Sequence, residues 1–144
     1  IRDGDTLKMA VPSIIFRSDA ADFKTEDEIK GGIKAEQKAN NDRVIKRIAQ
    51  ILNKFKNYTV VIEGHANNVS GTEVEETQDT NMYGKALEPL SQERAEFVKA
   101  QLKKYGVDGN RLTAVGRGGR SPVVARTDKD NWWKNRRVEF ILNK

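Results

Sequence analysis

The chain has 144 residues, enough for one domain of ordinary size and too few for two. Hydrophobic residues make up 37% and charged residues 33%, which is polar but still apolar enough to fold, and no uncharged apolar run approaches the roughly 20 residues of a membrane-spanning helix. The formal net charge is +5, and residues 111–144 hold nine Lys or Arg against three acids, so any basic function belongs to the last quarter of the chain.

Leu7, Met9, Val11, Ile14, Ile15 and Phe16 form a partly alternating apolar pattern broken by Pro12, which predicts one strand or a strand pair. Helical stretches follow. The stronger runs from about Asp42 to Phe55, where Val44, Ile45, Ile48, Ile51, Leu52 and Phe55 recur at spacings of three and four and make one apolar face. Tyr58 to Glu63 is a β-branched run between Asn57 and Gly64, with apolar residues toward both sides, as in an interior strand. Residues 66–89 carry Asn67, Asn68, Gly71, Gly84, Pro89 and the acids Glu73, Glu75, Glu76 and Asp79 without a periodic face, and read as a long loop, either a solvated insertion or a functional one. Ser91 is a good helix N-cap with Glu93 in the first turn, Ala95, Val98, Leu102 and Tyr105 form the stripe, and Gly106 ends the helix. Arg111 to Val115 reads as a strand, Gly116 to Asn131 as a glycine-containing loop, and Arg136 to Leu142 as a last strand with Val138, Phe140 and Leu142 on one face. The order β, α, β, α, β, β predicts an α/β sandwich, one mixed sheet with helices packed on one side.

The absence of cysteine leaves no disulfide, zinc ribbon or thiol catalyst. His65 is the only histidine, at a Gly-His corner, and without a second His or a nucleophile-elbow signature it reads as a ring that anchors a turn; no catalytic residue, metal site or cofactor is expected. Gly116, Gly118 and Gly119 lack the lysine and serine of a phosphate loop and are better explained by a turn with positive backbone dihedrals. Trp132 and Trp133 followed by Lys134, Arg136 and Arg137 interleave rings and cations. Arg136 and Arg137 open a strand and leave on opposite faces, which argues against a nucleic-acid groove. Arg94, on the predicted helix one turn above solvent, can aim a planar fork at a carboxylate.

Several segments together carry a resemblance: Val-Val-Ile-Glu-Gly-His-Ala-Asn at 60–67, Leu-Ser-Gln-Glu-Arg-Ala-Glu-Phe-Val at 90–98, Tyr-Gly-Val-Asp-Gly-Asn-Arg-Leu at 105–112, Gly116 with Gly118 and Pro122, and Asn-Arg-Arg-Val-Glu-Phe at 135–140. In this order and spacing the chain resembles the OmpA-like C-terminal domain family from about Leu7 to Asn143. The resemblance implies a single non-enzymatic βαβαββ domain over 1–144, periplasmic, that binds peptidoglycan through the diaminopimelate of its stem peptide. Because the chain starts at Ile1 rather than Met, it reads as a fragment or mature form, tethered to the outer membrane by a preceding segment.

The resemblance also assigns roles. The family motif Gly-His-Thr-Asp stands here as Gly64, His65, Ala66 and Asn67; the family Asp grips the ligand ammonium, and the helix arginine, here Arg94, grips its carboxylate. Ala66 lacks the Thr hydroxyl, Leu87 replaces a family Asn, and Gly119 stands where an acid is usual. The segment Phe16 to Phe23, with Asp19, resembles the family's first loop, and Arg137 is expected to line the pocket. From Asn67 to Ser91 the chain is about twice as long as is usual, so the acidic loop is an insertion beside the expected mouth. Asn67 can offer a carbonyl oxygen but no charge, and a charge-assisted hydrogen bond is worth roughly 1.5–3 kcal/mol against about 1 for a neutral one, so binding is expected to weaken tenfold or more. The expected partner is therefore a peptidoglycan stem peptide bound weakly or not at all. The alternatives are a retuned site for a wall whose diamino acid is lysine or ornithine, and a protein-interaction module of the envelope.

Overall fold

The computed structural model describes residues 2–3, 6–8, 14–18, 20–67, 87–120, 123–125 and 127–143. Six strands, β1 (Arg2–Asp3), β2 (Thr6–Lys8), β3 (Ile14–Ile15), β4 (Thr59–Gly64), β5 (Leu112–Gly116) and β6 (Arg137–Asn143), form one sheet in the order β1-β2-β6-β4-β5. β3 joins the start of β6 while β2 pairs with its end, so the first apolar segment is a strand pair laid along one partner. β4 and β5 are parallel and every other pairing is antiparallel, which makes the sheet mixed.

Among the described residues two α-helices, α1 (Ala35–Lys54) and α2 (Leu87–Lys104), cover one face. Val60, Ile62, Leu112, Val138, Phe140 and Leu142 from the sheet meet Ile45, Ile48, Leu52, Ala95, Val98 and Leu102 from the helices in one core. Each such side chain contributes roughly 1.5–3 kcal/mol when fully buried. β4 alternates buried Val60, Ile62 and Gly64 with exposed Thr59 and half-buried Val61 and Glu63, so it is covered by helices on one face rather than equally on both.

α1 starts seven residues earlier than the apolar periodicity indicates. The buried stripe continues upward through Asn41, whose Oδ1 accepts from the Ile15 N–H at 3.1 Å while its Nδ2 donates to the Ile15 carbonyl at 2.8 Å. A polar residue thus occupies a core position because it closes the outer edge of β3, and a search for apolar spacing passes over it. At the other end Phe55 and Tyr105 are exposed, 48% and 42%, because both lie beyond the last helical turn that faces the sheet. Gly106, at φ +89°, ends α2 as expected.

α2 begins at Leu87, so Ser91 is an interior helix residue and not the N-cap, and residues 87–89 belong to the helix and not to the loop. Pro89 is its third residue, where a missing N–H costs no intrahelical bond. Residues 68–86, which include nearly all of the predicted acidic insertion, lie outside the described residues. Gly118, at φ +59°, takes the turn conformation expected of the glycine cluster, and Trp132 and Trp133 fall in a 3-10 segment, Lys129–Asn135.

Candidate ligand-binding site

The ends of β4 and β5 and the start of β6 share one rim of the sheet, and α2 starts above it. Gly64 and Gly116 are neighbours across β4 and β5. A Cβ on Gly116 would stand 2.6 Å from the Gln92 nitrogen and 2.7 Å from the Glu88 carbonyl and Ser91 Oγ, and one on Gly64 would collide with the Ser91 carbonyl. The two glycines therefore let the first turns of α2 rest on bare backbone. At this approach Ser91 Oγ accepts from the Gly118 N–H at 2.8 Å and donates to the Glu88 carbonyl at 2.7 Å. Gln92 closes the edge of β5, donating to the Ala114 carbonyl and accepting from the Gly116 N–H.

The same approach carries Arg94 inward. It is 1% exposed, not one turn above solvent. Its Nε donates to the Ala20 carbonyl at 2.9 Å, one terminal nitrogen to the His65 carbonyl at 2.9 Å and the other to the Arg17 carbonyl at 3.1 Å. Its guanidinium also lies 5.4 Å from the centre of the Phe16 ring. Phe16 and Phe23 pack with Phe97, one turn further along α2, at centroid separations of 4.9–6.3 Å. The first loop is thus pinned to the helix by rings and by Arg94 together. Within it Arg17 and Asp22 form a two-pronged ion pair at 2.8 and 2.9 Å; the hydrogen bond from Arg17 holds the Asp22 carboxyl below the usual carboxylate range.

Asn67 lies at the rim, half-buried, with a partner that fixes which way it faces. Asn135 Oδ1 accepts from the Val123 and Val124 N–H groups at 2.8 and 3.1 Å, and backbone N–H groups can only donate. The other end of Asn135 is therefore its Nδ2, which donates to Asn67 Oδ1 at 2.7 Å. The carbonyl expected to serve a ligand is already engaged within the protein, and the remaining end of Asn67 is an N–H donor.

The other expected site residues are distributed as follows. Ala66 is buried, its N–H donating to the Gly118 carbonyl, and Leu87 is buried in the first turn of α2. Asp19 lies outside the described residues. Arg137 does not face Arg94: it alternates with Val138, leaves on the sheet face away from the helices, and donates from Nε to Glu139 Oε2 at 2.6 Å. Glu63, His65 and Glu139 gather on that same face with their ligand atoms within 4.8 Å of one another. Asn135 and Asn41, which position the site, were not among the expected functional residues; Asn135 was visible only as the first letter of the Asn-Arg-Arg motif.

Comparison with known proteins adds the decisive observation, a match of the OmpA family model to residues 33–136. The chain belongs to the OmpA family. It is 34% identical over 105 residues to the peptidoglycan-associated lipoprotein of Rhizobium meliloti, covering 73% of this chain and 53% of that protein. Against outer membrane porin F of Pseudomonas aeruginosa the identity is 32% over 107 residues, covering 74% of this chain and 27% of the porin. The chain thus spans about half the length, or less, of these relatives. Its fold is similar to the crystal structure of the peptidoglycan-associated lipoprotein from Burkholderia pseudomallei (TM-score 0.66, 23% identity, 93% of this chain and 92% of that one). It is similar also to the C-terminal domain of Helicobacter pylori MotB (TM-score 0.67, 21% identity, 94% and 86%). The βαβαββ sandwich predicted from the sequence is the fold of this OmpA-family chain. Among its described residues no helix is long and apolar enough to cross a membrane.

Proposed function

We propose that this chain is a periplasmic, wall-associated binding module, not an enzyme, whose diaminopimelate site has changed so that standard stem-peptide binding is weak or lost. The observation that carries the reading is the orientation of Asn67. A ligand ammonium has only N–H groups to offer, and at the family's acidic position it finds no negative charge, only a neutral amide whose Oδ1 already accepts from Asn135 and whose other end is an Nδ2 donor. The environment of Arg94 supports the same reading: three of its five N–H groups are directed at main-chain carbonyls, and the side chain is 1% exposed. The names of the relatives, peptidoglycan-associated lipoproteins, support the wall as the partner and the envelope as the location.

Calorimetry with a diaminopimelate-containing muropeptide tests this. Asn67→Asp keeps an oxygen toward Asn135 and turns a charged oxygen outward, so it is expected to gain roughly tenfold to a hundredfold in affinity, the worth of one charge-assisted hydrogen bond. Tight binding by the unaltered chain, with no gain from Asn67→Asp, overturns the proposal.

A further inference from the structure

A sizeable cavity lies not at Asn67 but on the other side of the first loop. It is a groove of about 640 Å³ whose walls include Ile15, Arg17, Lys34, Gln37, Trp133 and Arg136. A second hollow of about 460 Å³ shares Ile15, Gln37 and Trp133 with it and adds Asn40 and Lys134. The two make one trough with Trp133, 40% exposed, standing between its halves. A partly exposed indole beside a cavity offers an apolar surface, with a polar N–H, to a molecule that enters it.

The charges on the trough describe what fits it. Arg17 is held by Asp22, Arg136 donates to the Phe16 carbonyl at 3.1 Å, and Lys134 lies over the Trp133 ring, 5.4 Å from its centre. Lys34 shares the rim with Glu26 and Glu36, so the cations do not dominate, and a polyanion finds no run of uncommitted positive charge. The neutral groups are complementary instead. Gln37 uses its Nε2 on Asn41, which leaves its carbonyl as the end to offer, while Asn40 Oδ1 accepts from Arg43, which leaves its amide N–H groups. One acceptor and one donor beside an exposed indole match an acetamido group, which carries an N–H, a carbonyl and a methyl, on a sugar ring with an apolar face.

We propose that this trough binds a neutral N-acetylhexosamine glycan chain. The inference rests on the wall-binding reading above and extends it from the stem peptide to the sugar backbone that bears such peptides. Continuity supports it: residues 16–18 form both a wall of the trough and the segment whose Arg17 carbonyl and Phe16 ring receive Arg94. A branched polymer can therefore lie on both sides of one loop.

The test uses a peptide-free probe, the tetramer of N-acetylglucosamine, titrated by calorimetry and by tryptophan fluorescence. Saturable binding is expected, at least tenfold weaker in Trp133→Ala and largely kept in Trp133→Tyr, with thermal midpoints of the variants close to that of the unaltered chain. A glucose tetramer lacking acetamido groups is expected to bind at least tenfold more weakly. No saturable binding of the acetamido tetramer, equal binding by Trp133→Ala, or equal binding of the glucose tetramer overturns the proposal. A sugar-free stem peptide, titrated in parallel against the unaltered chain and Asn67→Asp, reports on the stem-peptide reading alone, so failure of one proposal is distinguishable from failure of the other.

Discussion

Replacing Arg94 by methionine keeps the length and apolar volume of the side chain and removes its donors, and it separates a buried structural arginine from a ligand clamp held ready for a carboxylate. Three main-chain carbonyls, of Ala20, His65 and Arg17, lose partners at 2.9, 2.9 and 3.1 Å. Hydrogen bonds to a charged group are worth about 1.5–3 kcal/mol each, so the gross loss is several kcal/mol. Removing the guanidinium also removes the cost of burying its charge, several kcal/mol in the opposite direction. The unsatisfied carbonyls tip the balance, and a net destabilisation of about 3 kcal/mol is expected. For a domain of this size that is a fall in Tm of about 6–12 °C, read by thermal unfolding followed by circular dichroism and checked by the urea midpoint. Arg94→Lys, whose single ammonium cannot reach three carbonyls in three directions, is expected to fall between. If Arg94→Met unfolds within about 1 °C of the unaltered chain, the three bonds are not what holds the first loop to α2, and the structural reading of Arg94 fails.

Gly116→Ala forces a Cβ against the Glu88 carbonyl, the Gln92 nitrogen and Ser91 Oγ at 2.6–2.7 Å, and a loss of about 2 kcal/mol or more in urea unfolding is expected; Gly106→Ala, whose Cβ would meet Asn53 Nδ2 at an ordinary 3.9 Å but whose φ is +89°, should cost only about 1 kcal/mol. Asn41→Leu leaves the Ile15 N–H and carbonyl without partners, so it is expected to cost about 2 kcal/mol and to speed hydrogen exchange at the Ile15 amide; unchanged exchange there would count against the edge-closing role. Asp22 has a folded pKa below its unfolded one because Arg17 donates to it. Its contribution is therefore full above the unfolded value and lost as pH falls through the folded value, and the stability gap between the unaltered chain and Asp22→Asn should hold at neutral pH and shrink as pH falls below the ordinary carboxylate range.

Much of this fold was legible because its core obeys simple periods. Val138, Phe140 and Leu142 alternate, Val44, Ile45, Ile48 and Leu52 recur by three and four, and both sets are buried as the spacing requires. What escaped was polar. Asn41 lengthens the stripe of α1 with an amide, and Ser91, a residue type that favours N-caps, is instead an interior bridge because Gly64 and Gly116 bring backbone within reach of its hydroxyl. The site divides in the same way. Its residues could be placed by motif, but that Arg94 faces carbonyls and Asn67 faces Asn135 depends on contacts across 74 and 68 positions of sequence, which no local pattern encodes.

The far face of the sheet shows how such contacts decide between readings of one residue. Glu63 and Glu139 are direct cross-strand partners, a placement that repels when both are ionised, and His65 Nε2 stands 3.8 and 3.9 Å from their oxygens. Three ligating side chains in one place invite a divalent cation. Each carboxylate, however, already has a guanidinium: Arg117 on Glu63 at 3.1 Å and Arg137 on Glu139 at 2.6 Å. With neutral His65 the five residues sum to zero charge, and a divalent ion would have to displace or face two arginines at short range, the buried Arg137 and the exposed Arg117. The cluster is therefore better explained as a closed ion network. It sits where the His65 N–H donates to the Arg137 carbonyl and the His65 carbonyl receives Arg94, so the lone histidine joins β6 to α2 through its backbone while its ring sits among the charges of the far face.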